Sequence, residues 1–203
     1  LEYFYPGIIL LVMLFTAIFA TIAVVEDRRE GFLQGVLVAP VARSSIVVGQ
    51  ALGSTTLALL QGVLLLILAP IAGVKLSLGA ILVVSVVLFC VAFSMTNMGL
   101  IIAWRMQSTQ GFHAIMNLIL MPIWLLSGAF FPVTGVPLWL EWIMRVNPLT
   151  YGMAALRRGL YLHTPELAGD VPALLPSLGV IVLFGIVTLL AAVRTAQRST
   201  SSG

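Results

Sequence analysis

Charged residues interrupt this chain at intervals, leaving apolar stretches between them. They stand at Glu2, from Glu26 to Glu30, at Arg43, Lys75, Arg105, Glu141, Arg145, Arg157, Arg158, Glu166, Asp170, Arg194 and Arg198. The charge-free windows between them cover 3–25, 44–74, 76–104, 106–140 and 171–193. Each exceeds the roughly 20 residues that an α-helix needs to cross a ~30 Å hydrocarbon layer at about 1.5 Å per residue. The pattern predicts helical spans over about 5–25, 46–68, 78–104, 112–131 and 174–193. The expected fold is all-α and polytopic: one transmembrane domain over 1–195 and a polar tail over 196–203.

The stretches between the spans predict shorter elements. Pro6 and Gly7 open the first span, and Tyr3, Phe4 and Tyr5 suit the headgroup level. After it comes the polar run Glu26-Asp27-Arg28-Arg29-Glu30-Gly31. Leu33, Val36 and Leu37 follow at helical spacing, and Pro40 stops the turn. The second span carries Gly49, Gly53, Gly62 and Ser54-Thr55-Thr56, small residues that let helices approach in lipid. Pro70 and Gly73 end it, Lys75 marks an interface, 105–111 forms a polar turn, and Pro122 breaks the fourth span. The stretch 132–172 differs from the rest. Val136–Met144, with Trp139 and Trp142, reads as a short amphipathic helix, Asn147-Pro148 breaks it, and Leu149–Leu162 reads as another. Neither is long enough to span, and Trp139, Trp142, Tyr151 and Tyr161 call for an interface. We expect a helix–break–helix folded back into the membrane with Arg157 held near its floor; the competing arrangement is two helices flat on the bilayer surface.

Composition removes whole classes. Of 203 residues, 61% are hydrophobic and 8% charged, against about a quarter charged in soluble domains. Soluble, disordered and nucleic-acid-binding proteins are excluded on that ground. The net charge of +3 comes from residues at span ends. Arg28, Arg29, Arg43, Arg105, Arg194 and Arg198 share one side, against Lys75, Arg145, Arg157 and Arg158 on the other. The positive-inside rule makes the first side cytoplasmic. Cys90, the single cysteine, forms no intrachain disulfide and reads as a packing residue. The absence of an initial Met and of a basic leader suggests a truncated start, and Ser199–Gly203 a disordered end or appended remnant.

Covalent chemistry finds no support. His113 and Arg105 stand at span boundaries with no acid at mid-membrane to pair with, which disfavours proton coupling. Ser127-Gly128 has no His or Lys base in another span, so Ser127 reads as a helix-packing residue. No metal-ligand spacing or phosphate-binding glycine loop occurs. The mid-span polar residues Thr55, Thr56, Asn97 and Asn117 fit two roles, bonds between helices or the lining of a substrate route. Residues 26–43 likewise read either as a solvated loop or as a surface that an energy-supplying partner pushes.

The run from Glu26 to Gly31, with Leu37 and Pro40-Val41-Ala42-Arg43, resembles the segment after the second span in type-2 ABC transporter permeases. Ser127-Gly128, Phe131-Pro132, Pro137-Leu138-Trp139, Asn147-Pro148-Leu149-Thr150-Tyr151 and Ala155-Leu156-Arg157 are similar to that family's region after the fifth span. The resemblance runs in consistent order over about residues 5–195. It implies the membrane subunit of an ATP-driven exporter in a bacterial inner membrane, paired with a second copy or paralogue. Two nucleotide-binding ATPase subunits would dock on it and hold the ATP and Mg, with no cofactor in this chain.

It further implies a coupling helix built on Glu26, Asp27, Arg28, Arg29, Glu30, Gly31, Leu33, Leu37, Pro40 and Arg43. Trp139, Asn147, Pro148, Tyr151 and Arg157 would belong to external re-entrant helices. Thr55, Asn97, Asn117 and Ser127 are candidates for the translocation path, with amphiphilic, drug-like or polysaccharide substrates. Family members usually have six spans after an interfacial helix. This sequence starts at the second, which implies that part of a lateral gate or dimer contact lies outside it. The rival readings are a structural or assembly membrane protein without a transport cycle and, more distantly, an intramembrane enzyme. A neighbouring gene for a P-loop ATPase separates the first two.

Overall fold

The first apolar run forms α1 (Tyr5–Phe19), with Pro6 in its first turn, where a missing N–H removes no helical bond. The computed structural model describes residues 3–31, 35 and 42–199. From α1 the chain passes through a tightened turn, Ala20–Ile22, into α2 (Ala23–Arg29). Side chains serve the carbonyls beside that turn: the Thr21 hydroxyl donates to Ile18 O at 2.7 Å, and the Thr96 hydroxyl to Ala17 O at 3.3 Å. Glu26–Arg29 thus form the last turn of the first span, not a separate polar stretch. Arg28 and Arg29 there complement the helix dipole, and Gly31, at φ 78°, ends the helix.

The remaining long helices are α3 (Arg43–Ile67), α4 (Leu78–Ala103), α5 (Thr109–Trp124) and α8 (Leu174–Ser199). Serines open two of them, Ser77 accepting from Ala80 N and Ser108 from Gly111 N, each at 3.1 Å. A π-helical turn, Leu125–Ala129, extends α5. Among the described residues, five helices can by length and composition cross a membrane: Tyr5–Arg29, Arg43–Ile67, Leu78–Ala103, Thr109–Ala129 and Leu174–Arg198. The predicted spans are all present. The last helix runs beyond the predicted end at 193, because Arg194 and Arg198 end the apolar stretch without breaking the helix.

Between the fourth and fifth spans lie α6 (Leu138–Val146) and α7 (Pro148–Leu160). At the centre of the bundle stands α4, which packs on α1, α3, α7 and α8. Lipid tails are as apolar as leucine, so helices here associate through close approach and hydrogen bonds. Gly62 admits Leu88, since a Cβ there would sit 3.0 Å from Leu88 Cδ1. At the α4–α8 crossing the Ser94 hydroxyl donates to Ile181 O at 2.9 Å. By contrast, α5 is peripheral, burying only Phe112, Met116 and Leu120 among its described residues.

Candidate functional site

At one end of the bundle the charged segment is tied to the spans at both its margins. Arg28 leaves α2 and donates to Trp104 O at 2.9 Å and Met106 O at 3.3 Å, with its guanidinium 5.3 Å from the centre of the Trp104 ring. Arg43, the first residue of α3, donates to Gln197 O of α8 at 3.2 Å. The chain therefore enters the segment fastened to the end of α4 and leaves it fastened to the end of α8. Glu26, Arg29 and Glu30 are exposed and Asp27 is half-buried. Leu33, Leu37 and Pro40 lie outside the described residues.

At the other end α7 is sunk in the bundle while α6 lies on its outside. Leu149, Met153, Leu156 and Leu160 are buried, whereas Trp139 is 65% and Val146 78% exposed. Two glycines bring α7 against α4. A Cβ on Gly152 would meet Val91 Cγ2 at 2.9 Å, and one on Gly159 would meet Val84 Cγ2 at 3.0 Å. The two helices run antiparallel, and the start of α7 lies level with the middle of α4. Tyr161, at the end of α7, is packed within the chain.

The polar face of α7 answers the irregular backbone that follows α5. Pro122 and Gly128, the latter at φ 85°, break the regular bonding there. Asn147 Nδ2 donates to Ile123 O at 2.7 Å, while its Oδ1 accepts from Leu149 N at 3.0 Å and caps α7. The Thr150 hydroxyl donates to Met144 O at 2.6 Å and Leu126 O at 3.3 Å. Arg157, 5% exposed, donates to Gly128 O at 3.3 Å and packs 4.2 Å from the Tyr3 ring centre. Trp124 Nε1 donates to Gly7 O at 3.0 Å. Gly7 is needed for that approach, since a Cβ there would meet Ala129 Cβ at 3.1 Å. Tyr151 OH donates to Arg145 O at 3.0 Å. Buried carbonyls freed from a helix need such donors wherever water is absent.

Sequence reasoning singled out Trp139, Asn147, Pro148, Tyr151 and Arg157 but missed Tyr3, Gly7, Trp124 and Thr150 as parts of this network. The available signal was spacing: Asn147, Thr150 and Arg157 share one helical face, opposite a fourth span broken by both Pro and Gly.

The four candidate path residues are not brought together. Thr55, Asn97 and Ser127 are buried and bond within their own helical turns, to Ala51 O, Phe93 O and Trp124 O. Asn117 is exposed on peripheral α5. Asn97 Oδ1 is buried without a partner among the described residues. His113 stacks on Phe19, with ring centres 5.0 Å apart.

Comparison with known proteins adds an independent line. The family model described as ABC-2 type transporter matches residues 2–161. The chain is 29% identical over 166 residues to "Putative transport permease ycf38" of Cyanophora paradoxa, covering 81% of this chain and 57% of that protein. It is 29% identical over 173 residues to "ABC transporter G family member 20" of Dictyostelium discoideum, covering 82% of this chain and 23% of that one. Against "Probable multidrug ABC transporter permease YbhR" of Escherichia coli it is 25% identical over 150 residues, 74% of this chain and 40% of that one. The chain thus spans about half or less of these relatives.

Proposed function

The chain belongs to the ABC-2 type transporter family, and from that premise we propose that it is the membrane permease of an ATP-driven exporter, acting by alternating access in a bacterial inner membrane. A second permease copy or paralogue completes the translocation path. A separate ATPase subunit holds ATP and Mg and does the hydrolysis; this chain contributes no catalytic group. The substrate is an amphiphile taken from the cytoplasmic side. Residues 26–43 and the C-terminal end are cytoplasmic and 132–172 external.

The observation that carries this reading is the double fastening of the charged segment. A permease without its own energy source needs a surface that transmits a partner's movement, and transmission needs both margins tied to different spans. Arg28 ties one margin to α4 and Arg43 ties the other to α8. A push on the segment then bears on α4, the helix against which α1, α3, α7 and α8 pack, and rocks the bundle as a body. At the far end, α6 and α7 close the external side as a re-entrant pair.

The test uses inside-out vesicles holding the full-length protein with its partner ATPase. ATP-dependent accumulation of a fluorescent amphiphilic dye is the readout. Leu37→Asp should abolish accumulation while the amount of permease in the membrane stays the same. Accumulation equal to that of the unaltered protein overturns the coupling assignment. Orientation is checked by labelling Ser45→Cys and Thr134→Cys in a Cys90→Ala background. Impermeant reagent outside whole cells should reach position 134 and spare 45, and the reverse pattern contradicts the topology.

A further inference from the structure

We propose that the cavity between α6, the start of α7 and the turn before α8 binds the headgroup of one phosphatidylethanolamine molecule, a zwitterionic lipid drawn from the leaflet on that side. The cavity holds about 420 Å³, within the roughly 300–1,000 Å³ of small-molecule sites. Glu141 and Arg145 of α6, Tyr151 of α7, Thr134 after the fourth span, and Asp170 and Val171 before the fifth line it. Both signs of charge meet there, two carboxylates against one guanidinium.

The walls are held in place by bonds that leave the charges available. Arg158 donates to Val171 O at 2.7 Å, which fastens the turn before α8 to α7. Within that turn Val171 N donates to Gly169 O at 2.9 Å, and Asp170 stands exposed at its apex. Tyr151 OH donates to Arg145 O and joins α7 to α6. Arg145 spends an N–H on Glu141 Oε1 at 2.5 Å and is 59% exposed; a guanidinium has five such donors, so its fork stays open. Asp170 makes no ion pair among the described residues. The cavity therefore offers donors for an anion and a carboxylate in excess for a cation.

A molecule carrying both charges answers this wall best. A cation alone would meet Arg145, and an anion alone would meet two carboxylates. In phosphatidylethanolamine the ammonium donates charge-assisted bonds to Asp170 while the phosphate accepts from Arg145. A choline headgroup has no N–H to give Asp170, and a glycerol headgroup has no cation. Thr134 follows the fourth span and Asp170 precedes the fifth, so the mouth stands at span ends, and the exposed Trp139 and Trp142 of α6 suit headgroup level. In the re-entrant arrangement Arg145 lies a turn deeper than Glu141, which matches a lipid whose ammonium is outermost and whose phosphate comes next. Ile143 and Val146, exposed on α6, give the acyl chains an apolar surface. This placement rests on reading 132–172 as a membrane-embedded pair, which labels at 134, 138 and 146 test separately.

The experiment uses the full-length protein in phosphatidylcholine nanodiscs that carry phosphatidylethanolamine or phosphatidylglycerol as a guest. Retained lipid is counted per protomer by native mass spectrometry, and affinity is read by titrating the guest. The unaltered protein should hold one phosphatidylethanolamine, about fivefold more tightly than either other lipid. Asp170→Asn keeps the shape and should abolish the preference over phosphatidylcholine. Arg145→Gln should weaken both lipids alike, about fivefold, because both carry the phosphate. Thr134→Trp keeps every charge but fills the cavity, and it should lose the lipid. Arg194→Ala, at the other end of the bundle, should bind as the unaltered protein does. No preference in the unaltered protein, or an unchanged preference in Asp170→Asn, overturns the site, as does full binding in Thr134→Trp. Displacement of the lipid by soluble phosphoethanolamine at millimolar concentration overturns the lipid assignment in favour of a free zwitterion.

Discussion

The two ends of this bundle use arginine in opposite ways. Arg157 is enclosed, with backbone carbonyls and the Tyr3 ring around it. Arg28 and Arg43 stay partly open to solvent and reach across to the ends of other helices. The first arrangement completes a hydrogen-bond network that the chain cannot leave unmade, because Pro122 and Gly128 have freed carbonyls in an apolar setting. The second ties the margins of the charged segment to the ends of other helices. Substitutions at the Arg157 end should therefore cost stability, and those at the Arg43 end should cost coupling with stability intact.

The largest stability loss is expected at Asn147. Asn147→Leu leaves the Ile123 carbonyl without its donor and removes the cap of α7. An unpaired buried acceptor costs about 1–3 kcal/mol and a lost cap about 1 kcal/mol, so denaturant unfolding should show a loss of about 3 kcal/mol. A change below about 1 kcal/mol would mean that the break is not held by this side chain. Next is Gly152→Val, which drives a side chain into Val91 and should cost about 2 kcal/mol as overpacking. Val91→Ala in the same chain should recover part of that loss; strict additivity would show that the close approach of α7 to α4 is not what the glycine serves.

Arg157→Met should cost less, about 1 kcal/mol, because it removes a buried cation's desolvation along with its bonds. Arg157→Lys should be no better than Met, since lysine keeps the charge but loses the flat stack on Tyr3 and the forked donors. Full stability with Lys would show that charge alone matters there. Arg43→Ala is the smallest in stability, under about 1 kcal/mol, since its bond to Gln197 O is exposed. It should nevertheless lower ATP-dependent dye accumulation severalfold. A stability loss as large as that of Asn147→Leu would erase the distinction between the two ends.

The spans were legible because hydrocarbon thickness and helical rise fix a length, and charge-free windows of that length leave little choice. The break at Asn147-Pro148 was equally plain, since Pro after Asn stops one helix and starts the next. What the sequence did not reveal depends on partners far away in the chain. That α7 sinks beside α4 is written in Gly152 and Gly159, but only Val91 and Val84 make those glycines necessary. The role of Thr150 depends on carbonyls near residue 126, exposed by a left-handed Gly128 that an apolar run does not announce. Thr55, Asn97 and Ser127 draw attention as polar groups within spans; each bonds to its own helical turn, and Asn97 also keeps a buried Oδ1 without a partner among the described residues. The charged run was read as a stretch distinct from the first span, yet Glu26–Arg29 continue that helix, since charge at a helix end in water breaks nothing.

The central claim is that the chain turns around inside the bilayer at Asn147. Depth-dependent fluorescence quenching tests it directly, with labels on Leu138→Cys and Val146→Cys in the full-length Cys90→Ala protein. Both positions are exposed, at 72% and 78%, so the labels disturb little packing. The nine residues of α6 rise about 1.5 Å each, and the account predicts a label at 146 roughly 12 Å deeper than one at 138, with 138 at the headgroups. Equal headgroup depth at both positions would mean that α6 lies flat on the surface, and would contradict the re-entrant fold.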